Sequence, residues 1–212
     1  MNKILSLIAV SLFFTACDTS SKWKPNQEVI SEADIYADLS PYGKRVMRHR
    51  DSTSAMFLSG ANGIMAKSDL SPSGKLNFFE VDESYKVKAT FERIENGEEI
   101  EMQTNTDRAP LYTRYGVLHF TLEGADHRLT LYQNVEQPDY IFLPFKDKTN
   151  GDQSYGAGRY LNFKPSDLEA PYIDFNYAYS PYCAYNNEYS CPIPPRENHL
   201  DVAIPAGEKK WH

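Results

Sequence analysis

The pattern of apolar and polar residues changes from helical spacing to strict alternation at about residue 76, and the alternation continues through much of the chain. The apolar positions of two alternating segments fall on one face each, with Val87, Ala89 and Phe91 in the first and Leu118, Phe120 and Leu122 in the second. Residues 140–145 form a nearly continuous apolar run, which is typical of a buried strand. Strands at this spacing predict a mainly β fold with an antiparallel sheet that is closed or strongly curled, as in a barrel.

The dipeptide Asn96-Gly97 indicates a two-residue hairpin turn within this sheet. With these residues as the turn, Phe91 faces Met102, and both share a face with Ile100. The register set by the turn therefore agrees with the apolar pattern, and we predict a hairpin here.

One or two helices are predicted before the sheet. The first covers residues 30–37, where Ser31 and Asp34 form a capping pair. The second covers residues 41–58, with Pro41 in its first turn.

The chain after the sheet predicts a long ordered loop. Residues 177–195 contain four prolines, which exclude a long helix, and many tyrosines that can lie over the sheet. A short strand is predicted at residues 200–204. The loop covers a pocket if the sheet beneath it is concave.

The N-terminus has the features of a lipoprotein signal peptide at residues 1–16. Lys3 precedes a short apolar run, and small residues precede Cys17, which we expect to be lipidated. The alternative is an ordinary secretory signal with an incidental cysteine. Residues 17–25 then form a tether, and residues 26–212 form a single globular domain. The expected location is the cell envelope, with the protein anchored to a membrane by lipid.

The two remaining cysteines, Cys183 and Cys191, are expected to form a disulfide, because the envelope permits one. Two free thiols are the alternative. Their spacing does not match a zinc motif, and the five histidines have no metal-ligand spacing, so no metal and no cofactor is predicted. A formal net charge of −7 without a basic cluster argues against a nucleic-acid partner.

Several separated motifs occur in the last third of the chain: Gly158-Arg159-Tyr160, Asp174-Phe175-Asn176, Cys191-Pro192 and the run IPAGEK. Together with the upstream run TRYGVLHFTLEG, they resemble the bacterial and archaeal family of domain of unknown function 1684. The resemblance covers about residues 45–209 and implies no established activity.

The candidate ligand-binding residues are the polar and aromatic ones in and around these motifs: Arg159, Tyr160, Asp174, Asn176, Tyr179, Glu197 and Asn198. Arg159 can clamp a carboxylate or phosphate, or it can pair with Asp174. Asp174 and Asn176 share a face if they lie on a strand, where they line a cavity or anchor the following loop. Glu197 can act as a general base beside Arg159, or it can anchor the loop.

Two functions are consistent with these residues. The first is a non-catalytic envelope lipoprotein that binds a small molecule or a partner under residues 177–195. The second is a hydrolytic enzyme that uses Arg159, Asp174 and Glu197, which requires these side chains to meet in one pocket. A thiol-redox role for Cys183 and Cys191 is a third hypothesis.

Overall fold

A computed structural model of the chain describes residues 35–59, 64–65 and 75–211. The chain divides into two compact units, Met1–Ala37 and Asp38–His212. Of the first unit only residues 35–37 are described, so the signal peptide, Cys17, the tether and most of the first predicted helix lie outside the described residues. All elements below belong to the second unit.

The second predicted helix is confirmed as α1, Pro41–Leu58. The Ser40 hydroxyl accepts a hydrogen bond from the Gly43 N–H at 3.1 Å, and Pro41 occupies the first turn, where its missing N–H costs nothing. Among the described residues, no helix combines the length and the apolar character that a membrane span requires.

The strands are β1 Lys86–Arg93, β2 Glu99–Glu101, β3 Leu111–Leu122, β4 Ala125–Asn134, β5 Gln137–Phe145, β6 Arg159–Phe163 and β7 Tyr172–Asp174. They form one antiparallel sheet in the order β6-β5-β4-β3-β1-β7, with β2 also paired to β3. The sheet is strongly curled, but it is open: β6 and β7 are its edges and do not pair with each other. The prediction of a mainly β fold with an antiparallel, strongly curled sheet is confirmed. The alternative prediction of a closed sheet is wrong.

The hairpin predicted at Asn96-Gly97 is wrong. β1 and β2 do not pair with each other; both pair with β3, one after the other along its length. The chain stays attached to β3 across the turn, because the Ile94 N–H donates to the Tyr115 carbonyl at 3.2 Å. A Cβ at position 97 would lie 1.9 Å from the Arg114 carbonyl oxygen, so glycine is required for this close crossing rather than for a hairpin.

Both faces of the sheet are covered. The main core contains fully buried residues from four strands and the chain after them, including Leu118, Leu131, Leu143, Ile173 and Ile204. A second, aromatic cluster on the opposite face contains Tyr112, Tyr132, Phe142 and Tyr160. Neighbours in sequence such as Leu131 and Tyr132 therefore belong to different clusters, as strand geometry requires. The buried half of β5 explains its continuous apolar run.

After β7 the described chain has no further strand. It forms three short 3-10 turns, Phe175–Tyr177, Tyr182–Ala184 and Arg196–Asn198, and single bridges such as the one between Tyr160 and Tyr179. The strand predicted at residues 200–204 is therefore not formed. Its backbone instead bonds to the loop after β5, for example from the Leu200 N–H to the Lys146 carbonyl at 2.8 Å.

Candidate functional site

Arg159 begins β6 and is completely buried in a hydrogen-bond network within the protein. Its Nη2 donates to Asp147 Oδ2 at 2.7 Å and to the Ile204 carbonyl at 2.8 Å. Its Nη1 donates to the carbonyl of Ala206 and, at 3.2 Å, to that of Glu208. The predicted pairing of Arg159 with Asp174 is wrong, because Arg159 forms its salt bridge with Asp147 instead. Burial lowers the pKa of Arg159, while the Asp147 carboxylate raises it.

The loop around Asp147 explains this pairing. Asp147 Oδ1 accepts hydrogen bonds from the N–H groups of Thr149 at 2.8 Å and Ile204 at 3.1 Å. Gly158 has φ +113°, and a Cβ there would lie 2.8 Å from the Phe145 carbonyl, so only glycine lets Arg159 enter at this point. Arg159 therefore ties the sheet to the C-terminal chain, and its Nη groups are not open to a ligand.

Asp174 and Asn176 were predicted to share a strand, and this prediction is wrong. β7 ends at Asp174, whose Oδ1 accepts hydrogen bonds from the Asn176 N–H at 3.2 Å and from the Tyr42 hydroxyl at 2.8 Å. The Asn176 side chain exchanges two hydrogen bonds with the backbone of Asp82, at 2.8 and 3.1 Å. Both side chains thus anchor neighbouring segments of the chain, which agrees with the anchoring interpretation of these two residues.

Glu197 and Asn198 lie in the last 3-10 turn and point to different partners. Glu197 Oε1 accepts hydrogen bonds from Arg114 Nη2 at 2.9 Å and from the Tyr132 hydroxyl at 2.7 Å. Burial raises the pKa of Glu197, but these two hydrogen bonds outweigh it and leave the pKa below its ordinary value. Asn198 is fully buried and bonds to the backbone of Thr130 and Pro144.

The three residues of the hydrolytic hypothesis are therefore held in three separate groups. Arg159 bonds to Asp147, Asp174 bonds to Tyr42, and Glu197 bonds to Arg114. None of the three bonds to another, and the structure does not bring them together as an acid–base set.

Cys183 and Cys191 are both buried free thiols in this structure, so the predicted disulfide is not formed. They are nevertheless neighbours, because the Cys183 N–H donates to Cys191 Sγ at 3.2 Å. A hydrogen bond with Cys191 lowers the pKa of Cys183 to about 7. Whether two such thiols join depends on the redox poise of the compartment rather than on packing.

An apolar cavity of about 230 Å³ lies between α1 and residues 177–182. One helical face contributes His49, Thr53, Met56 and Phe57. The sheet side and the chain after β7 contribute aromatic rings, namely Phe78, Tyr140, Tyr177, Tyr179 and Tyr182. Of the predicted residues, Asn176 and Tyr179 line this cavity; Arg159, Tyr160, Asp174, Glu197 and Asn198 do not.

The polar groups of the cavity wall differ in what they already bind. The Tyr179 hydroxyl accepts a hydrogen bond from Asn162 Nδ2 at 2.7 Å and lies 3.3 Å from the Tyr140 hydroxyl. The backbones of Tyr160 and Tyr179 exchange two hydrogen bonds. The Tyr160 N–H donates to the Tyr179 carbonyl at 2.9 Å, and the Tyr179 N–H donates to the Tyr160 carbonyl at 3.1 Å. Desolvation lowers the pKa of His49, whose imidazole borders the cavity, and the neighbouring Arg50 lowers it further.

Glu208 is the wall residue that sequence reasoning missed. It is 2% exposed, and its Oε2 accepts hydrogen bonds from the Ser180 N–H at 2.8 Å and from the Tyr185 hydroxyl. Burial raises the pKa of Glu208 to about 7. Its only sequence signal is its place in IPAGEK after Gly207, whose φ of +78° lets the chain pass close to the Ala178 carbonyl.

A larger depression of about 660 Å³ lies over the strands β1, β3 and β4. It is open to solvent, and two of its polar side chains pair with carboxylates, His119 with Glu92 at 3.0 Å and Thr121 with Asp126 at 2.8 Å. Because a ligand site buries most of its ligand, the smaller cavity under residues 177–182 is the better candidate.

Comparison with known proteins identifies the family. A model described as "Protein of unknown function (DUF1684)" matches residues 74–209. The chain belongs to the DUF1684 family. No curated protein matches it.

A DUF1684-like fold is also found among solved structures. The solution NMR structure of an uncharacterised protein from Haloarcula marismortui is 34% identical, with a TM-score of 0.62, and the match covers 79% of this chain and 94% of that one. The range matched by the DUF1684 model contains the cavity residues Tyr140, Tyr179, Tyr182 and Glu208, whereas the α1 side of the cavity precedes it.

Proposed function

We propose that this protein is a non-catalytic binding module that holds a small molecule in the cavity between α1 and residues 177–182, and that lipid on Cys17 anchors it in the cell envelope. The cavity is the observation that carries the proposal. Its walls are mostly aromatic, with a small number of polar groups, which is the composition of small-molecule sites in general.

The rim of the cavity supports this function. Met56, Tyr182 and Tyr140 are 49%, 42% and 37% exposed, and all three border the opening. Exposed apolar side chains that cluster at one opening indicate a binding site, whereas the same residues scattered over a surface do not. The cluster offers a continuous apolar surface that a ligand can remove from water.

The walls are held in place, which also favours binding. The Glu208 N–H donates to the Ala178 carbonyl at 2.8 Å, and Tyr179 bonds through its backbone to Tyr160. The buried Arg50 donates to the carbonyl of Asn176 at 3.2 Å and joins α1 to the opposite wall. A cavity with fixed walls loses little conformational entropy when a ligand enters.

Binding is tested by thermal unfolding of the full-length protein, purified in detergent, against a library of small molecules. Compounds that bind the native state raise the unfolding temperature. Thr53→Trp fills the cavity from α1 and should abolish these shifts, whereas Ser52→Trp on an exposed position of the same helix should retain them. Equal shifts in both variants would exclude this cavity as the site.

The anchor is tested separately. Its support is the sequence of residues 1–17, where an apolar run of signal-peptide length ends at a cysteine. Cys17→Ala should prevent lipid incorporation and move the protein from the membrane fraction to the soluble fraction. Retention of Cys17→Ala in the membrane fraction would show that lipid on this cysteine is not the anchor.

A further inference from the structure

We infer that the cavity takes a small organic cation, an alkylammonium whose N–H group binds Glu208 Oε1 and whose alkyl part packs against the tyrosine rings. This inference rests on the proposed binding function and names the class of ligand. It follows from three properties of the cavity wall: one carboxyl oxygen without a partner, a set of aromatic faces, and the absence of a positive charge.

Glu208 supplies the carboxyl oxygen. The hydrogen bonds from the Ser180 N–H and the Tyr185 hydroxyl both end on Oε2. The Ser180 hydroxyl, which has no other partner among the described residues, also interacts with the carboxylate and lowers its pKa. The side chain is 98% buried and borders the cavity, and no described residue donates a hydrogen bond of ordinary geometry to Oε1. A ligand that brings a charged donor to this oxygen gains a strong interaction.

The two amide side chains of the wall are already bonded within the protein. Asn176 uses its amide on the backbone of Asp82, and Asn162 donates to the Tyr179 hydroxyl. A ligand with one strong donor and an apolar body fits this wall.

The charges around Glu208 also favour a cation. The cavity wall contains no lysine or arginine. Arg159 lies near Glu208, but it forms its salt bridge with Asp147 at 2.7 Å. Arg50 donates to backbone carbonyls and has Glu80 and Asp174 as further charged neighbours. Among the described residues Glu208 forms no salt bridge of its own, and an ammonium group would provide it.

The aromatic faces favour the same ligand. Tyr140, Tyr179 and Tyr182 stand around the opening, and Phe57 closes the α1 side. Aromatic faces attract cations, and sets of such rings bind alkylated ammonium groups in many proteins. The volume of about 230 Å³ lies below the range of drug-sized pockets, about 300–1,000 Å³, so the ligand has few heavy atoms.

The test is isothermal titration of the full-length protein in phosphate buffer at pH 8 with four probes: n-butylammonium, tetramethylammonium, 1-butanol and butanoate. We expect n-butylammonium to bind at least tenfold more tightly than 1-butanol. Tetramethylammonium should be weaker than n-butylammonium because it has no N–H, and butanoate should not bind. Glu208→Gln should weaken n-butylammonium at least tenfold and change 1-butanol less than twofold.

A second measurement does not need a variant of Glu208. The titratable groups near Glu208 are Tyr185, Arg159 and Arg50, and burial lowers the pKa of His49 on the same cavity wall. The affinity of the wild type for n-butylammonium should rise as the pH passes about 7, where Glu208 ionises, and level off above that value. The affinity for 1-butanol should not change. Cys183→Ser is the control, because the pKa of Cys183 is also about 7.

The outcomes separate the two proposals. If 1-butanol binds as tightly as n-butylammonium, or if Glu208→Gln folds and keeps the ammonium affinity, the ligand class is wrong and the binding function stands. If Glu208→Gln does not fold, a flat pH profile in the wild type overturns the ligand class by itself. If no probe binds and no library compound shifts the unfolding temperature, both proposals fail.

Discussion

Arg159 and Glu208 are both buried and charged, and they touch, yet the protein uses them differently. The Nη groups of Arg159 donate five hydrogen bonds within the protein, one of them to the Glu208 carbonyl. Glu208 accepts two hydrogen bonds on one oxygen and leaves the other at a cavity wall. Burial alone therefore does not identify a functional charge. What distinguishes Glu208 is an unoccupied acceptor beside a space that a ligand can enter.

The largest expected effect is the loss of the Arg159 network. Arg159→Met would leave the Asp147 carboxylate buried without its countercharge and three carbonyl groups without donors. Removing one partner of a buried ion pair costs about 3–5 kcal/mol, so the free energy of unfolding in urea should fall by this amount. The matched control is Arg114→Met, whose partly exposed salt bridge with Glu197 should contribute less than about 1 kcal/mol. Similar losses in the two variants would contradict a structural role for Arg159.

The next largest effect is the change in the free energy of unfolding with pH that the Glu208 carboxyl causes. Its pKa is about 7 in the folded protein, above the ordinary value of 4.5. The folded state therefore holds a proton between pH 4.5 and 7 that the unfolded chain has released. The stability that results is fully present below pH 4.5 and is lost as the pH rises to about 7, by about 3 kcal/mol in total.

This dependence is measured by comparing unfolding of the wild type and Glu208→Gln at pH 4.5 and pH 7.5. Other titrating groups are common to both proteins and cancel in the difference. The stability of the wild type relative to the variant should fall by about 3 kcal/mol between the two pH values. A constant difference would mean that the Glu208 carboxyl is not desolvated as the structure indicates.

A smaller effect on the free energy of unfolding is expected at Asn198, whose side chain, like that of Arg159, is bonded within the protein. Asn198→Ala would remove hydrogen bonds to the N–H and carbonyl of Thr130 and to the carbonyl of Pro144, all between 2.7 and 2.8 Å. The expected loss is about 2 kcal/mol in the free energy of unfolding. Asn187→Ala, at an exposed position, is the control and should be close to neutral. A neutral Asn198→Ala would show that water replaces these bonds.

The smallest effect on stability is expected at the cavity rim. Met56→Ala should change the free energy of unfolding by no more than about 0.5 kcal/mol, because the side chain is 49% exposed. It should nevertheless weaken n-butylammonium binding measurably. Leu111→Ala, which is similarly exposed on β3, should leave the affinity unchanged. If both variants bind equally well, Met56 does not belong to the site.

The alternating parts of β1 and β3, the buried half of β5 and α1 could be predicted from local patterns. The Asn96-Gly97 turn could not, although its residues are typical of a hairpin. The same glycine is required when one strand continues along its neighbour and crosses a carbonyl oxygen closely, and only the pairing with β3 distinguishes the two cases. The edges of the open sheet likewise depend on which strands meet, and alternation does not specify this.

The site was predictable only in part for a similar reason. The segment with Tyr179 lines the cavity, but Arg159, Asp174 and Glu197 stand apart in the fold with different partners. Glu208 had no signal beyond a short motif. It reaches the cavity because six regions meet there: α1, the segment before β1, β5, β6, the chain after β7, and the C-terminal chain.

Taken alone, the sequence determined the position of α1 and of the alternating parts of β1 and β3, because side-chain periodicity follows directly from backbone geometry. It also determined the acidic net charge. Only the tertiary structure decided which buried charges are paired within the protein and which one faces a cavity. The physical reason is that the solvation and the partners of a charged group are set by residues distant in sequence. Asp147 and Ile204 surround Arg159, whereas Glu208 is left with a free oxygen at the cavity.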